Sequence, residues 1–181
     1  MALTSTLYRF QLKLSDIDRD IYEGIELRVA MHPSESIPFL LTRVIAYALN
    51  LQEGLTFTQG IGSPDEPTLQ VKDLTGLLLT WIDIGNPTAR RLHKASKSAK
   101  RVRVYTYRDP AILLTELAGE EIHARDTIEI FSLSPKFLDR LSEFLERDNA
   151  WELLHDNGEL SISAKGKSVH GELLRHSLSR G

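Results

Sequence analysis

Residues 77–107 restrict the possible folds more than any other stretch of this chain. "LLLTWIDIG" (77–85) is apolar on both strand faces and stops at "GNP". "TARRLHKASKSAK" (88–100) then runs at helical spacing from Pro87 or Thr88, and "RVRVYTY" (101–107) returns to alternation. A strand over 77–84, a helix over 88–100 and a strand over 101–107 have the length of a βαβ crossover, which joins parallel strands with a right-handed turn. A strand buried on both faces belongs inside a sheet covered by helices.

The other segments add antiparallel strands. "TSTLYRFQLKLSD" sets Tyr8, Phe10, Leu12 and Leu14 at alternate positions, and "IELRVAMH" does the same with Ile25, Leu27, Val29 and Met31. Two half-buried strands joined through "DIDRDIYEG" make an antiparallel ribbon. In "HPSESIPFLLTRVIAYALN" the period becomes helical, with Ser34 or Ser36 as the cap. "LTFTQG" and "TLQV" read as short strands on either side of a "GSPDEP" turn. Further on, "DPAILLTELAGEEIHA" is a helix and "TIEIFSL" a strand. "SPKFLDRLSEFLERD" is a helix capped by Ser134, with Pro135 at its first position. "WELLHDNGELSIS" is a hairpin turning at Asn157-Gly158, and "KSVHGELL" adds a strand. The expected class is α/β, a mixed β-sheet flanked by helices. No linker, repeat or low-complexity run interrupts the chain, so one domain is expected over 1–181, ending in a frayed "HSLSRG" tail.

Several functions are disfavoured by what the sequence lacks. There is no cysteine, which removes disulfides, thiolate zinc sites and cysteine nucleophiles. The histidines form no H-x-x-x-H pair, so zinc is not expected. "AKGKS" has Ser161 where a phosphate-binding loop needs glycine, and neither G-x-S-x-G nor a helix-opening G-x-G-x-x-G occurs; no nucleotide cofactor or haem is expected. No apolar run is long enough to span a membrane, and "MALTSTLYRF" lacks the regions of a signal peptide; a cytoplasmic protein is expected. A net charge of −3 weighs against indiscriminate nucleic-acid binding. That charge is uneven, because "ARRLHKASKSAKRVR" (89–103) contains no acid.

Asp83 is the anomaly. It shares a strand face with Trp81 in an apolar strand, and a buried carboxylate is costly unless it is paired or binds a metal. One reading is a salt bridge to Arg43 or Arg91. The other joins it with Asp65 of "SPDEP", at the head of a neighbouring strand, to hold Mg²⁺ or Mn²⁺ with Glu66 in support. Such an ion can activate water against a phosphodiester. Arg90, Lys94, Lys97 and Arg101 form one stripe on the following helix, either a solvated face or a phosphate track. Leu92, Ala95 and Ala99 mark the apolar face of that helix; Lys94 lies nearly opposite Leu92, and Arg91 lies on the flank. Glu35 in "HPSE" is either a helix-start acid favoured by the dipole or a further carboxylate of the site.

The segments "LYRFQLKLSDIDR", "HPSES", "RVIAYALN", "LTFTQG", "DEP", "WIDIG", "RRLHKA" and "VRVYTY" occur here in order. In these the sequence resembles the YaeQ family of small bacterial proteins over nearly the whole chain. The resemblance implies a fold related to the PD-(D/E)xK nucleases, that of restriction endonucleases, in a circularly permuted variant. By position it gives Asp65 the place of the first motif aspartate, Asp83 that of the second acid and Glu35 that of a helix acid. Where the motif has lysine, two residues past Asp83, this chain has Gly85. In some relatives of the fold the lysine has moved to the next helix, which nominates Lys94.

Two functions follow as expectations. The first is a metal-dependent nuclease or phosphodiesterase. Asp65 and Asp83 hold Mg²⁺ or Mn²⁺, Glu35 or Glu66 assists, Lys94 or Arg91 stabilises the attacked phosphate, and Arg90, Arg91 and Lys97 contact the substrate. The second is a non-catalytic module that keeps the nuclease fold and binds nucleic acid or protein.

Overall fold

The computed structural model describes residues 4–58, 63 and 65–178. The strands are β1 Thr6–Asp16, β2 Ile21–Met31, β3 Leu55–Phe57, β4 Leu69–Lys72, β5 Leu78–Ile84, β6 Arg101–Thr106, β7 Ile128–Leu133, β8 Asp148–Asp156, β9 Glu159–Ala164 and β10 Lys167–His176. The helices are α1 Ile37–Leu49, α2 Ala89–Ser98, α3 Pro110–Leu117 and α4 Pro135–Ser142, with a 3₁₀ turn at Arg125–Thr127. The chain divides into two compact units, Met1–Val44 with Leu133–Leu173, and Ile45–Ser132 with Leu174–Gly181. No described helix is long and apolar enough to cross a membrane.

In the first unit the strands run in the order β2-β1-β8-β9-β10. β1 and β2 form the expected antiparallel ribbon, with Phe10 opposite Leu27 and Leu12 opposite Ile25. On its other edge β1 pairs in parallel with β8, and the sheet is therefore mixed. Alternation sends Phe10, Leu12, Leu14, Ile25, Leu27, Val29, Trp151 and Leu153 inward, and α1 and α4 bury Leu40, Leu41, Phe137, Leu138 and Leu141. Phe10 and Trp151 meet edge-on at 5.2 Å, an arrangement favoured by ring quadrupoles. The β8–β9 hairpin turns at Asn157 and Gly158, with φ of 49° and 81°, as a type I′ turn requires.

The second unit has the order β7-β6-β5-β4-β3. β5, β6 and β7 are parallel, while β3, β4 and β5 are antiparallel, so this sheet is mixed as well. Parallel neighbours need crossovers, and α2 and α3 supply them. The core cluster joins Trp81 of β5, Leu92 and Ala95 of α2, Val102 and Val104 of β6, Leu113 and Leu117 of α3, and Ile128 and Ile130 of β7. Each fully buried leucine, valine or isoleucine among these contributes about 1.5–3 kcal/mol.

The helices are shorter than their apolar periodicity suggests. α3 stops at Leu117, and Gly119 follows with φ of 77°. α4 stops at Ser142 and tightens into i→i+3 turns, with the Glu143, Phe144 and Leu145 amides donating to the Arg140, Leu141 and Ser142 carbonyls. Asn149 accepts from the Glu146 amide at 2.8 Å and donates to the Glu146 and Arg9 carbonyls at 2.7 and 3.1 Å, fixing the entry into β8. Gln59, Gly60, Ile61, Gly62, Pro64 and the last residues of the expected tail, 179–181, lie outside the described residues.

Candidate functional site

The acids and cations of interest in the second unit are positioned by β5, α2 and the turn before β4. β5 carries Trp81 and Asp83 on one face, as strand parity requires. It ends at Ile84, and Gly85 follows with φ of 98°, a left-handed conformation that L side chains adopt only with strain. The backbone thus favours glycine at this position. Thr88 caps α2 by accepting the Arg91 amide at 3.2 Å, which sets Arg91 in the first helical turn and Lys94 one turn on.

Arg91 reaches back to Asp83 as a two-pronged partner. Its Nε donates to Oδ2 at 2.7 Å and its Nη2 to Oδ1 at 2.9 Å. The same guanidinium donates to the Glu66 carbonyl at 2.6 Å and to the Ser63 carbonyl at 3.4 Å. It lies 5.3 Å from the Trp81 ring centroid, a cation–π distance. The Asp83 side chain is 3% exposed and that of Arg91 25%. Arg91, and not Arg43, is the partner that a buried Asp83 needs.

Lys94 is ion-paired with Asp65, with the two side chains 50% and 69% exposed. Asp65, Asp83, Arg91 and Lys94 therefore belong to one alternating set of charges, tied together by the Ser63–Glu66 turn. Glu66 takes part through its backbone carbonyl, while its side chain is exposed. Trp81 is the floor under Arg91, and its Nε1 finds no hydrogen-bond partner among the described residues. Arg90, Lys97 and Arg101 are exposed and make no ion pair with any described residue.

Glu35 belongs to the other unit, with Arg43. The Arg43 Nη2 lies 3.4 Å from Glu35 Oε2 and donates to the Ala30 carbonyl at 3.0 Å. With its side chain only 4% exposed, burial pushes the Glu35 carboxyl above its usual range, against the pull of Arg43 and the His32 backbone. Glu35 Oε1 is buried without a hydrogen-bond partner among the described residues.

A divalent ion needs oxygen lone pairs that face it, with few cations nearby. Here both Asp83 oxygens accept from Arg91, Asp65 is paired with Lys94, and no three acidic or histidine side chains gather among the described residues. In this arrangement the residues do not fit an Mg²⁺ or Mn²⁺ centre.

Two polar groups escaped sequence reasoning. Asp16, 1% exposed, accepts from Arg19 Nε at 2.6 Å and faces His155 Nδ1 at 3.0 Å. Burial alone would raise its pKa, but the hydrogen bonds from Arg19 and His155 outweigh it and hold the carboxyl below its usual value. The Asp16–Arg19 spacing was visible in "SDIDR", whereas the His155 contact depends on β1–β8 pairing. Buried Asn50 donates to Tyr105 Oη at 2.9 Å and accepts from Arg103 at 2.5 Å. Nothing in "YALNLQ" signals that network.

The family model for the YaeQ protein matches residues 1–173. The chain belongs to the YaeQ family. The YaeQ protein of Salmonella typhi, whose description assigns it no activity, is 30% identical over 169 residues, spanning 90% of this chain and 91% of its own. That of Escherichia coli K12 is 28% identical over 165 residues, with the same coverage. The crystal structure of the YaeQ protein from Pseudomonas syringae superposes with a TM-score of 0.85 at 28% identity, covering 98% of each chain. The YaeQ structure from Xanthomonas axonopodis pv. citri gives 0.85 at 27% identity, covering 97% of this chain and all of that one. The YaeQ fold is shared nearly end to end.

Proposed function

We propose that this YaeQ protein is a non-catalytic nucleic-acid-binding module on a nuclease-like framework. The reading rests on one observation: Arg90, Lys97 and Arg101 lie exposed without ion pairs among the described residues, on and just beyond a helix that contains no acid. Cations free of protein partners are available to displace counterions from a phosphate backbone. The order of a turn aspartate, a strand acid and a basic helix supports a relation to the PD-(D/E)xK nucleases. The engagement of both Asp83 oxygens by Arg91 favours binding over metal-assisted cleavage.

Fluorescence anisotropy with labelled single- and double-stranded DNA and RNA tests it across a salt series. Affinity should fall steeply with salt, and Arg90→Ala with Lys97→Ala should flatten that slope by roughly 0.9 for each duplex phosphate that is no longer neutralised. No cleavage should accompany binding in Mg²⁺ or Mn²⁺. An unchanged slope in the double variant would reject the binding reading.

The second reading, a metal-dependent phosphodiesterase, is favoured by the Lys94–Asp65 contact. It sets the basic group of the following helix against the acid in the first motif position. Cleavage that stops with chelator and with Asp83→Ala, both proteins purified identically, would select it. The chemistry would then require Arg91 to release Asp83.

A further inference from the structure

The disagreement between the motif and the metal has a positive content. We propose that Arg91 is the resident cation of this site: its guanidinium fills the space between Asp83 and the Ser63 and Glu66 carbonyls that a divalent ion would otherwise take.

The ligand chemistry points the same way. A hard divalent cation is held by oxygen alone, by carboxylate and backbone carbonyl groups with water completing the shell. Asp83 offers a carboxylate, and Ser63 and Glu66 offer carbonyls. All three point at one positive group, at distances of 2.6–3.4 Å. Ordinary salt bridges join two side chains. Here one guanidinium gathers a buried carboxylate at the end of β5 and two carbonyls of the turn before β4, as a structural ion would.

Arginine suits the post. Its planar fork matches a carboxylate with two parallel hydrogen bonds and leaves other N–H groups for the carbonyls, while Trp81 lies against its face. It keeps its charge at every physiological pH and cannot be removed by a chelator. The Thr88 cap sets the first helical turn, where Arg91 is held. The site is therefore neutralised in cis, and a metal ion would have to displace a covalently attached competitor. This inference stands apart from nucleic-acid binding, since a failed DNA titration leaves it intact.

The experiment compares melting temperatures in chelator and in millimolar MnCl₂ or MgCl₂. Four proteins are used: wild type, Arg91→Ala, Arg91→Met, and Arg91→Ala with Asp83→Asn. Wild type should show no metal-dependent shift. Removal of the guanidinium should uncover the oxygens, so Arg91→Ala should melt lower in chelator and recover about 3–5 °C at a tenfold excess of metal over its dissociation constant. Asp83→Asn should abolish that recovery, which assigns the ion to this carboxylate. Arg91→Met keeps the stem that packs on Trp81 and serves should the alanine variant not fold. Calorimetric titration with Mn²⁺ gives a second reading of the same sites. An Asp83-dependent Mn²⁺ site in wild type, or no gain of metal response in either Arg91 variant, would overturn the proposal.

Discussion

Arg91 and Asp83 form a two-pronged ion pair at 2.7 and 2.9 Å between the end of a strand and the first turn of the next helix. With Asp83 3% exposed, loss of either member leaves a charge in a place built for a pair. Asp83→Ala should therefore cost about 3 kcal/mol, the low end of the range for breaking buried pairs, because Arg91 keeps partial contact with water. Asp83→Ala with Arg91→Met should cost less than the sum of the two single changes. Urea denaturation of the four proteins measures the difference.

The Lys94–Asp65 pair should behave in the opposite way. Both side chains are half or more exposed, where solvent screens the attraction and ordering offsets it. Lys94→Ala and Asp65→Ala should each change stability by less than about 1 kcal/mol, less still in high salt. If Lys94 is nevertheless essential to some activity, stability data of this kind separate that role from folding.

Much of this was legible in the sequence. Strand alternation placed Trp81 and Asp83 on one face, and the flank position of Arg91 on the helical wheel was correct, because both follow from backbone periods alone. The β5–α2–β6 unit, the Asn157-Gly158 turn and the Ser134 cap are likewise local. Other features were not legible. The parallel pairing of β1 with β8 joins residues some 139 positions apart, and it creates the Asp16–His155 contact. Which arginine served Asp83 was also open, since Arg43 and Arg91 both lie on amphipathic helices and only the fold separates them. The carbonyls of Ser63 and Glu66 carry no side-chain signature at all.

Gly85 answers a backbone requirement. Its φ of 98° is costly for any residue with a Cβ, although the nearest atom to an added Cβ, in Tyr107, is an uncrowded 3.7 Å away. Gly85→Lys should therefore destabilise by about 1–2 kcal/mol while leaving the fold intact. A lysine at this position would carry backbone strain, and circular dichroism with denaturant titration checks both parts.

Two buried acids of the first unit should give opposite pH signatures. Asp16 has a folded pKa below its unfolded value near 3.8, so it contributes stability above that value, which is lost as pH falls through the folded pKa. Asp16→Asn should remove part of the acid lability below that pH. Glu35 has a folded pKa raised above 4.5 by burial. The folded state then binds the proton more readily than the unfolded one. Its contribution is fully present below 4.5 and is lost as pH rises through the raised value. Glu35→Gln should flatten stability against pH above 4.5 and leave the Asp16 region below 3.8 untouched. Urea midpoints for wild type and both variants, taken from about pH 3 to 8, test the assignment. A Glu35→Gln profile that keeps the wild-type slope above 4.5 would show that another group produces it.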